Sequence, residues 1–512
     1  MTDDFRGLIC GDRRLARADF DDRILRAASG LRDLGVRPGD AVALLLRNDL
    51  PFLEASYAAR ALGAYAVPIN WHLVTPEVAY ILGDCAAKVL VVHASLLHAV
   101  DGAVPDGVHV VVVPDTPDIR AAYHLAEDVC RPPAGARLWD HWLAGYEPLS
   151  GLHPEVPESM IYTSGTTGLP KGVRRWAQTA DKAAQMVASR QRIYGLHEGM
   201  RAVVPGPMYH SAPNAYGLLS AKTADLTVIM PRFDPEGLLA LIEKHRLTAA
   251  CMVPTMFVRL MKLSPRVRDR YDISSMRFVI HAAAPCPPDV KRAMIEWWGP
   301  VINEFYGSTE SAHLTFCTSE EALAKPGTVG RRCPEVILKA LDEDGNEQPP
   351  GVPGELYGIV PFAPDFVYNN RPEARAEIDR DGLVTCGDVG YFDDDGYLFL
   401  CDRKRDMVIS GGVNIYPAEI EAVLVGMPEV ADCAVFGIPD PEFGEKVMAV
   451  VQPQGDAEPD PAAIKAYLRQ RLAGYKVPRV IETRASLPRD DSGKIYKRRL
   501  RDPYWEGHES RI

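Results

Sequence analysis

Met160-Ile161-Tyr162-Thr163-Ser164-Gly165-Thr166-Thr167-Gly168-Leu169-Pro170-Lys171-Gly172-Val173 is the densest chemical statement in the chain. Its apolar start suggests a strand feeding a loop. Gly165 and Gly168 let the backbone turn back and approach a ligand closely. The hydroxyls of Thr163, Ser164, Thr166 and Thr167 can donate to phosphate oxygens, and Lys171 supplies positive charge. Gly168 is followed by Leu169-Pro170-Lys171-Gly172 rather than by Gly-x-x-x-x-Gly-Lys-Ser/Thr spacing, so a Walker NTPase is disfavoured. Alone, the run would read as a Gly/Thr-rich surface turn; the rest of the chain must weigh the two readings.

At 512 residues the chain exceeds the usual size of one core, so more than one domain is expected. Its 47% hydrophobic and 25% charged residues are ordinary globular values. A net charge of -12 argues against general nucleic-acid binding while leaving room for a local positive site. The ten cysteines form no Cys-x-x-Cys pair, so neither a zinc ribbon nor a disulfide framework is indicated, and they read as reduced thiols. The acidic start Met1-Thr2-Asp3-Asp4 lacks a signal peptide's regions, and no apolar run approaches the about 20 residues that cross a bilayer. A soluble cytoplasmic protein is expected.

Outward from the loop, strand-like and helix-like runs alternate. Ile24, Leu25, Ala28, Leu31 and Leu34 recur at helical spacing before the strand-like Val42 to Leu46. Helical stretches at Phe52 to Leu62, Pro76 to Leu82 and Pro235 to Lys244 alternate with runs at Ala64 to Ile69, Val89 to Val92, Ala202 to Val204, Ala249 to Val253 and Phe278 to Ile280. This alternation predicts α/β layers with largely parallel sheets. Arg131 to Pro157, rich in proline, glycine and polar residues, reads as a connecting surface segment. From Gly327 the texture changes to short strands and tight turns, whose acidic clusters lack calcium-loop spacing. A small α+β unit is expected after Arg405, with strands at Val430 to Phe436 and Val447 to Val451 and a helix from Ala462 to Leu472.

Tyr162 to Val173 resembles the signature loop of the adenylate-forming superfamily: acyl-CoA synthetases, luciferases and peptide-synthetase adenylation domains. The superfamily's other motifs have counterparts here in the same order. Asn303-Glu304-Phe305-Tyr306-Gly307-Ser308-Thr309-Glu310 resembles its next core motif, and His281-Ala282-Ala283-Ala284-Pro285 stands where the family has a small-residue adenine-binding segment, although Ser-Gly-Ala-Ala-Pro is commoner. Pro207-Met208-Tyr209-His210-Ser211 resembles the motif bordering the acyl tunnel. Gly387-Asp388 and Arg403 match the ribose-binding elements, Gly411-Gly412 the loop of the second step, and Pro488 to Lys494 the last core motif.

The resemblance implies an acyl-CoA ligase: acid and ATP give acyl-adenylate and pyrophosphate, then coenzyme A gives the thioester and AMP. Thr163, Ser164, Gly165, Thr166, Thr167, Gly168 and Lys171 would grip the β- and γ-phosphates. Thr309 would donate to the α-phosphate and Glu310 would hold magnesium. Ala283, Ala284, Pro285, Glu304, Phe305, Tyr306 and Gly307 would receive the adenine side of the nucleotide, and Asp388 and Arg403 its ribose. Tyr209, His210, His281, Ala282 and Gly307 would border the acyl group, with His210 a gate or wall; His281 could equally be a core histidine. Gly411 and Gly412 would admit the pantetheine arm. Lys494 would bridge carboxylate and α-phosphate.

The implied fold is a large N-terminal domain, residues 1–404, of α/β layers with a small β-barrel-like subdomain, followed by a mobile α+β lid, 405–512, hinged at Arg405. Tyr209 to Leu219 contains no acid to pair an amine and Phe305 to Phe316 no arginine for a second carboxylate, so a neutral apolar acid is favoured: fatty, aromatic or bulky alicyclic. A carrier-protein thiol is the alternative acceptor, a non-catalytic nucleotide-binding protein the alternative class, and a homodimer is compatible.

Overall fold

The computed structural model describes residues 5–163, 170–176, 180–403, 406–410, 413–441, 443–489 and 495–506. At its centre six parallel strands run in the order Ile302–Ser308, Phe278–His281, Ala249–Met252, Arg201–Val204, Leu226–Ile229 and Gly7–Cys10. Parallel neighbours need crossovers, and helices supply them. The helix Pro235–His245 shows how the sequence builds one. Asp234 accepts from the Gly237 amide at 2.6 Å, Pro235 and Glu236 occupy the first turn, and Lys244 and His245 the last. Leu238, Leu239 and Ile242 face the core, and Arg246 ends the helix at φ 49°.

Beyond Ile302–Ser308 the same sheet continues by antiparallel pairing. Ala312–Cys317, Thr328–Arg332, Tyr397–Arg403, Leu383–Phe392, Gly354–Ile359 and Ile337–Leu341 follow in that order, so the short strands after Gly327 extend the large sheet. A second, four-stranded parallel sheet orders Tyr65–Pro68, Ala41–Leu45, Ala87–His93 and His109–Val113. A small antiparallel one joins Ile161–Thr163, Lys171–Arg175 and Phe366–Tyr368. After residue 405, Val413–Ile415, Val408–Ser410, Gly444–Pro453, Val430–Asp440 and Val480–Thr483 make a further sheet, on which Ile420, Leu424, Ile464 and Leu468 of two helices pack.

One expectation is corrected. Within Arg131 to Pro157 lies the helix Trp139–Leu143, and Trp139 is fully buried. Its indole Nε1 donates to Glu54 at 2.6 Å, and Glu54, itself buried, accepts from Arg23 at the same distance. Five residues are too few to show a helical period, so flanking prolines and glycines dominate the local reading, while one large ring anchors the segment. None of the ten cysteines is in a disulfide. Among the described residues no helix is long and apolar enough to cross a membrane.

Candidate active site

The strands Ile161–Thr163 and Lys171–Arg175 pair with each other and are tied to Asp84. Lys171 stands opposite Thr163 in the antiparallel pair, and Tyr162 Oη donates to Asp84 at 2.5 Å. Asn369 Nδ2 and Asn370 Nδ2 donate to the Asp84 carbonyl at 2.6 and 2.7 Å. Gly172 has to be small, since a Cβ there would meet the Tyr162 ring at 2.8 Å. Ser164, Gly165, Thr166, Thr167 and Gly168 lie outside the described residues.

Lys171 is buried with Nζ 5.0 Å from the centre of the Tyr368 ring. Tyr368 Oη donates to Glu310 Oε1 at 2.9 Å, and Thr163 Oγ1 lies 3.5 Å from the same oxygen. Burial, then the Glu310 charge, pushes the Tyr368 hydroxyl up, so it stays a donor. Chain segments separated by 147 and 58 residues thus meet at one carboxylate.

Thr309 and Glu310 occupy the turn between Ile302–Ser308 and Ala312–Cys317. Ser308 Oγ accepts from the amides of Glu310 and Ser311 at 3.1 and 3.0 Å, a local device that shapes the turn. Arg175 Nη2 donates to the carbonyls of Thr309 and Glu310 at 2.6 and 2.9 Å. Gly307 is required here by the hairpin: a Cβ would meet the Ala312 carbonyl oxygen at 1.8 Å, so the glycine answers a close strand approach.

Arg175 in turn leans on Glu158 at 3.5 Å, which Arg190 also holds at 2.7 Å. Burial would raise the Glu158 carboxyl, but Arg190 and Arg175 bring it down to about 2, against an ordinary 4.5. A depressed carboxylate contributes stability that is present above its unfolded value and lost as pH falls through its folded one. Glu158→Gln is therefore expected to lower unfolding free energy at pH 7 by ~2–3 kcal/mol, with the gap to the parent closing between about pH 5 and pH 2. Urea unfolding across that range checks it; parallel pH curves would show that the pair contributes nothing.

Tyr306 Oη donates to Asp388 Oδ2 at 2.8 Å, and Asp388 stands opposite Arg403 across adjacent antiparallel strands. Ala283, Ala284 and Pro285 are exposed just past the strand Phe278–His281. Ala283 sits at φ 76°, a left-handed conformation that costs an alanine about 1 kcal/mol or more.

His281 and Glu304 are gathered elsewhere. Glu304 pairs with Lys291 of the helix Pro288–Trp298, and the fully buried His281 ring packs edge-on to Phe257 at 5.1 Å with Nδ1 3.8 Å from Glu304. Burial, then Lys291, pushes His281 well below its usual value, so it is neutral at pH 7. It stands with Phe257 in one core, whereas Ala282 and Phe305 belong to another.

His210 caps the helix Ser211–Thr223, its ring 4.3 Å from that of the buried Tyr209, which meets Trp71 edge-on at 6.2 Å. Buried Asn48 sets this segment, donating to Gly206 O at 2.7 Å and accepting from the Met208 amide at 2.8 Å. Arg405, Gly411, Gly412 and Lys494 lie outside the described residues, and nothing is described of the Arg403 side chain.

Among the described residues no three His, Cys, Asp or Glu side chains gather to hold a metal. A single carboxylate beside a hydroxyl suits a hard ion held mostly by phosphates and water, which is magnesium's habit. Glu310 and Thr163 fit that requirement.

Sequence and structure comparisons place the chain in a family. The AMP-binding enzyme family matches residues 2–359 and its C-terminal domain residues 419–494. The chain belongs to that family and is an adenylate-forming ligase. A feruloyl-CoA synthase of Amycolatopsis sp is 36% identical over 504 residues, 96% of this chain and 94% of that one. A fatty acid–[acyl-carrier-protein] ligase of Streptomyces coeruleorubidus is 31% identical over 510 residues, 97% and 93%. The structure of ATP-bound MatB from Rhodopseudomonas palustris superposes with a TM-score of 0.81 at 28% identity, covering 98% of this chain and 96% of that one.

Proposed function

We propose that the protein activates a neutral, largely apolar carboxylic acid with ATP and transfers the acyl group to coenzyme A. The observation carrying this reading is the meeting of Thr163 and Tyr368 at the Glu310 carboxylate, with Lys171 against the Tyr368 ring and with the contact to Asp388 made by Tyr306, four residues before Glu310. A substrate carboxylate oxygen bonds to the α-phosphorus while the bond to pyrophosphate breaks. Both partners are anionic, so the residues cancel charge and fix alignment. Lys171 faces the leaving phosphates, Thr309 donates toward the α-phosphate, and Asp388, positioned by Tyr306, accepts from the ribose. Magnesium, held at Glu310, would neutralise phosphate charge. In the second step the coenzyme A sulfur bonds to the acyl carbon, AMP leaves and the thiol proton is released. We assign the residues from 405 onward to a lid that exchanges Lys494 for Gly411-Gly412 between steps.

A pocket of about 460 Å³ favours coenzyme A over a carrier protein. Ser410 and Val413, which bracket Gly411-Gly412, line it together with Phe443, Tyr475, Lys465 and Arg479, and Arg479 stacks over Phe443 at 4.3 Å. Aromatic walls with cations suit a phosphorylated nucleotide, which coenzyme A carries at its far end.

The test is AMP formation with ATP, magnesium and a panel of fatty, aromatic and polycyclic acids, with coenzyme A, pantetheine or acyl-carrier protein. Expected is AMP that depends on both acid and coenzyme A, and Arg479→Glu should raise KM for coenzyme A about tenfold relative to that for pantetheine. AMP only with carrier protein would establish the second reading, which the 31% identical carrier-protein ligase favours. No AMP with any acid would overturn acid activation.

A further inference from the structure

Arg175 ends the strand that begins at Lys171, and it is buried. All three nitrogens of its guanidinium have partners. Nη2 donates to the carbonyls of Thr309 and Glu310, 134 and 135 residues away, Nη1 donates to the Pro364 carbonyl at 2.6 Å, and Nε faces Glu158 at 3.5 Å. Phe366 stands opposite Arg175 across the antiparallel pair with its ring 5.6 Å from the guanidinium carbon, and the next amide, that of Trp176, donates to the Asp365 carbonyl at 2.9 Å. The strand that Phe366 opens ends at Tyr368, whose hydroxyl donates to Glu310. One side chain therefore ties the strand carrying Lys171 to the turn carrying Thr309 and Glu310 and to the segment leading to Tyr368.

Burying a guanidinium is costly, and carbonyl acceptors carry no net charge to offset it. The carboxylate that does, Glu158, is shared with Arg190 at 2.7 Å. What the arrangement provides is geometry: a planar fork sends its N–H groups along fixed lines, so it holds several acceptors at set positions, which an ammonium on a flexible stem cannot do. We infer that Arg175 is a positioning residue for acyl-adenylate formation, acting through the Thr309-Glu310 turn rather than on the substrates: it sets the Thr309 hydroxyl and the Glu310 carboxylate against the phosphates that Lys171 meets. The inference rests on the acid-activation reading above. A misplacement of about 1 Å at a reacting centre can cost about 100-fold in rate, so a turn that shifts when its anchor is lost is enough to slow the chemistry.

The experiment uses Arg175→Lys, which keeps the buried charge and removes the fork. Pyrophosphate release with acid and ATP should slow by about 10- to 100-fold, while coenzyme A-dependent consumption of supplied acyl-adenylate stays within about twofold of the parent. Raising magnesium should return part of the lost rate, because the carboxylate that holds the ion is displaced and not removed. Combined with Glu310→Gln, the loss should fall short of the product of the two single losses by about fivefold or more, since both substitutions act at one turn. Equal losses in the two half-reactions, a loss that magnesium does not relieve, or losses that multiply would each overturn the inference while leaving acid activation standing. Where Arg175→Lys does not fold, Glu158→Gln takes its place, since it weakens the hold on Nε and leaves the bonds to the turn: its first step should slow several-fold with the second unaffected, and an unchanged first step would overturn the inference. Absence of AMP with every acid in the parent would instead overturn acid activation, and this inference with it.

Discussion

Lys494→Ala should slow acyl-adenylate formation by at least about 100-fold while sparing thioester formation from supplied acyl-adenylate. An ammonium on a flexible stem can contact both the attacking carboxylate and the α-phosphate as charge moves between them, a demand present only in the first half-reaction. The ends of the segment that carries it are firmly held. Arg489 and Ile495 form an antiparallel bridge, the Tyr496 amide donates to Pro488 at 2.8 Å, and Arg489 donates to Asp432 at 2.9 Å and to Gln452 at 3.0 Å. Two residues past the bridge, half-buried Lys497 pairs with Glu421 at 2.8 Å; against desolvation, which lowers it, Glu421 holds that ammonium above its ordinary value. Pyrophosphate release reports the first step, and coenzyme A-dependent consumption of added acyl-adenylate the second. Equal losses in both would reject the role.

Glu310→Gln should cost about 100-fold or more in the same first step, and the loss should depend on magnesium. The substitution keeps the shape of the side chain and leaves an amide oxygen that can still accept from Tyr368, so folding should be nearly unchanged. The negative charge is what disappears. If Glu310 is the ion's protein anchor, raising magnesium should restore part of the rate to the variant while having little effect on the parent. A magnesium-independent loss would assign Glu310 instead to holding Tyr368 and Thr163 in place. The two variants also differ from each other, because added magnesium should not rescue Lys494→Ala.

Several parts of the site were legible because a local motif states its own chemistry. Tyr162 to Val173, Tyr306 to Glu310 and Gly387-Asp388 each put the needed residue types within one turn or strand end. Others carry no such mark. Tyr368 is one aromatic in an ordinary strand, yet it joins Lys171 to Glu310. Arg175 looks like a solvated charge in Arg174-Arg175, but it is buried and holds the Thr309-Glu310 turn from 134 residues away. Asn48, which sets the approach to His210, and Trp139, inside an apparent loop, are similar cases. Gly307 was legible as a small residue, and the close approach of the Ala312 carbonyl is a reason for it that the sequence did not show.

The amino-acid order was enough for the layered α/β class, most of the strand and helix succession, and the chemistry of the motif residues, since hydrophobic period, turn residues and donor types act over a few residues. Folding settled which motif residues share a site. It brought Tyr306 to Asp388 and Thr163 to Glu310, and it drew His281 and Glu304 toward Lys291. Strand pairing and burial fix those meetings, and both depend on neighbours far away in the chain. A buried charge or hydroxyl acquires its role from whichever distant group satisfies it, as Glu310 does for Tyr368.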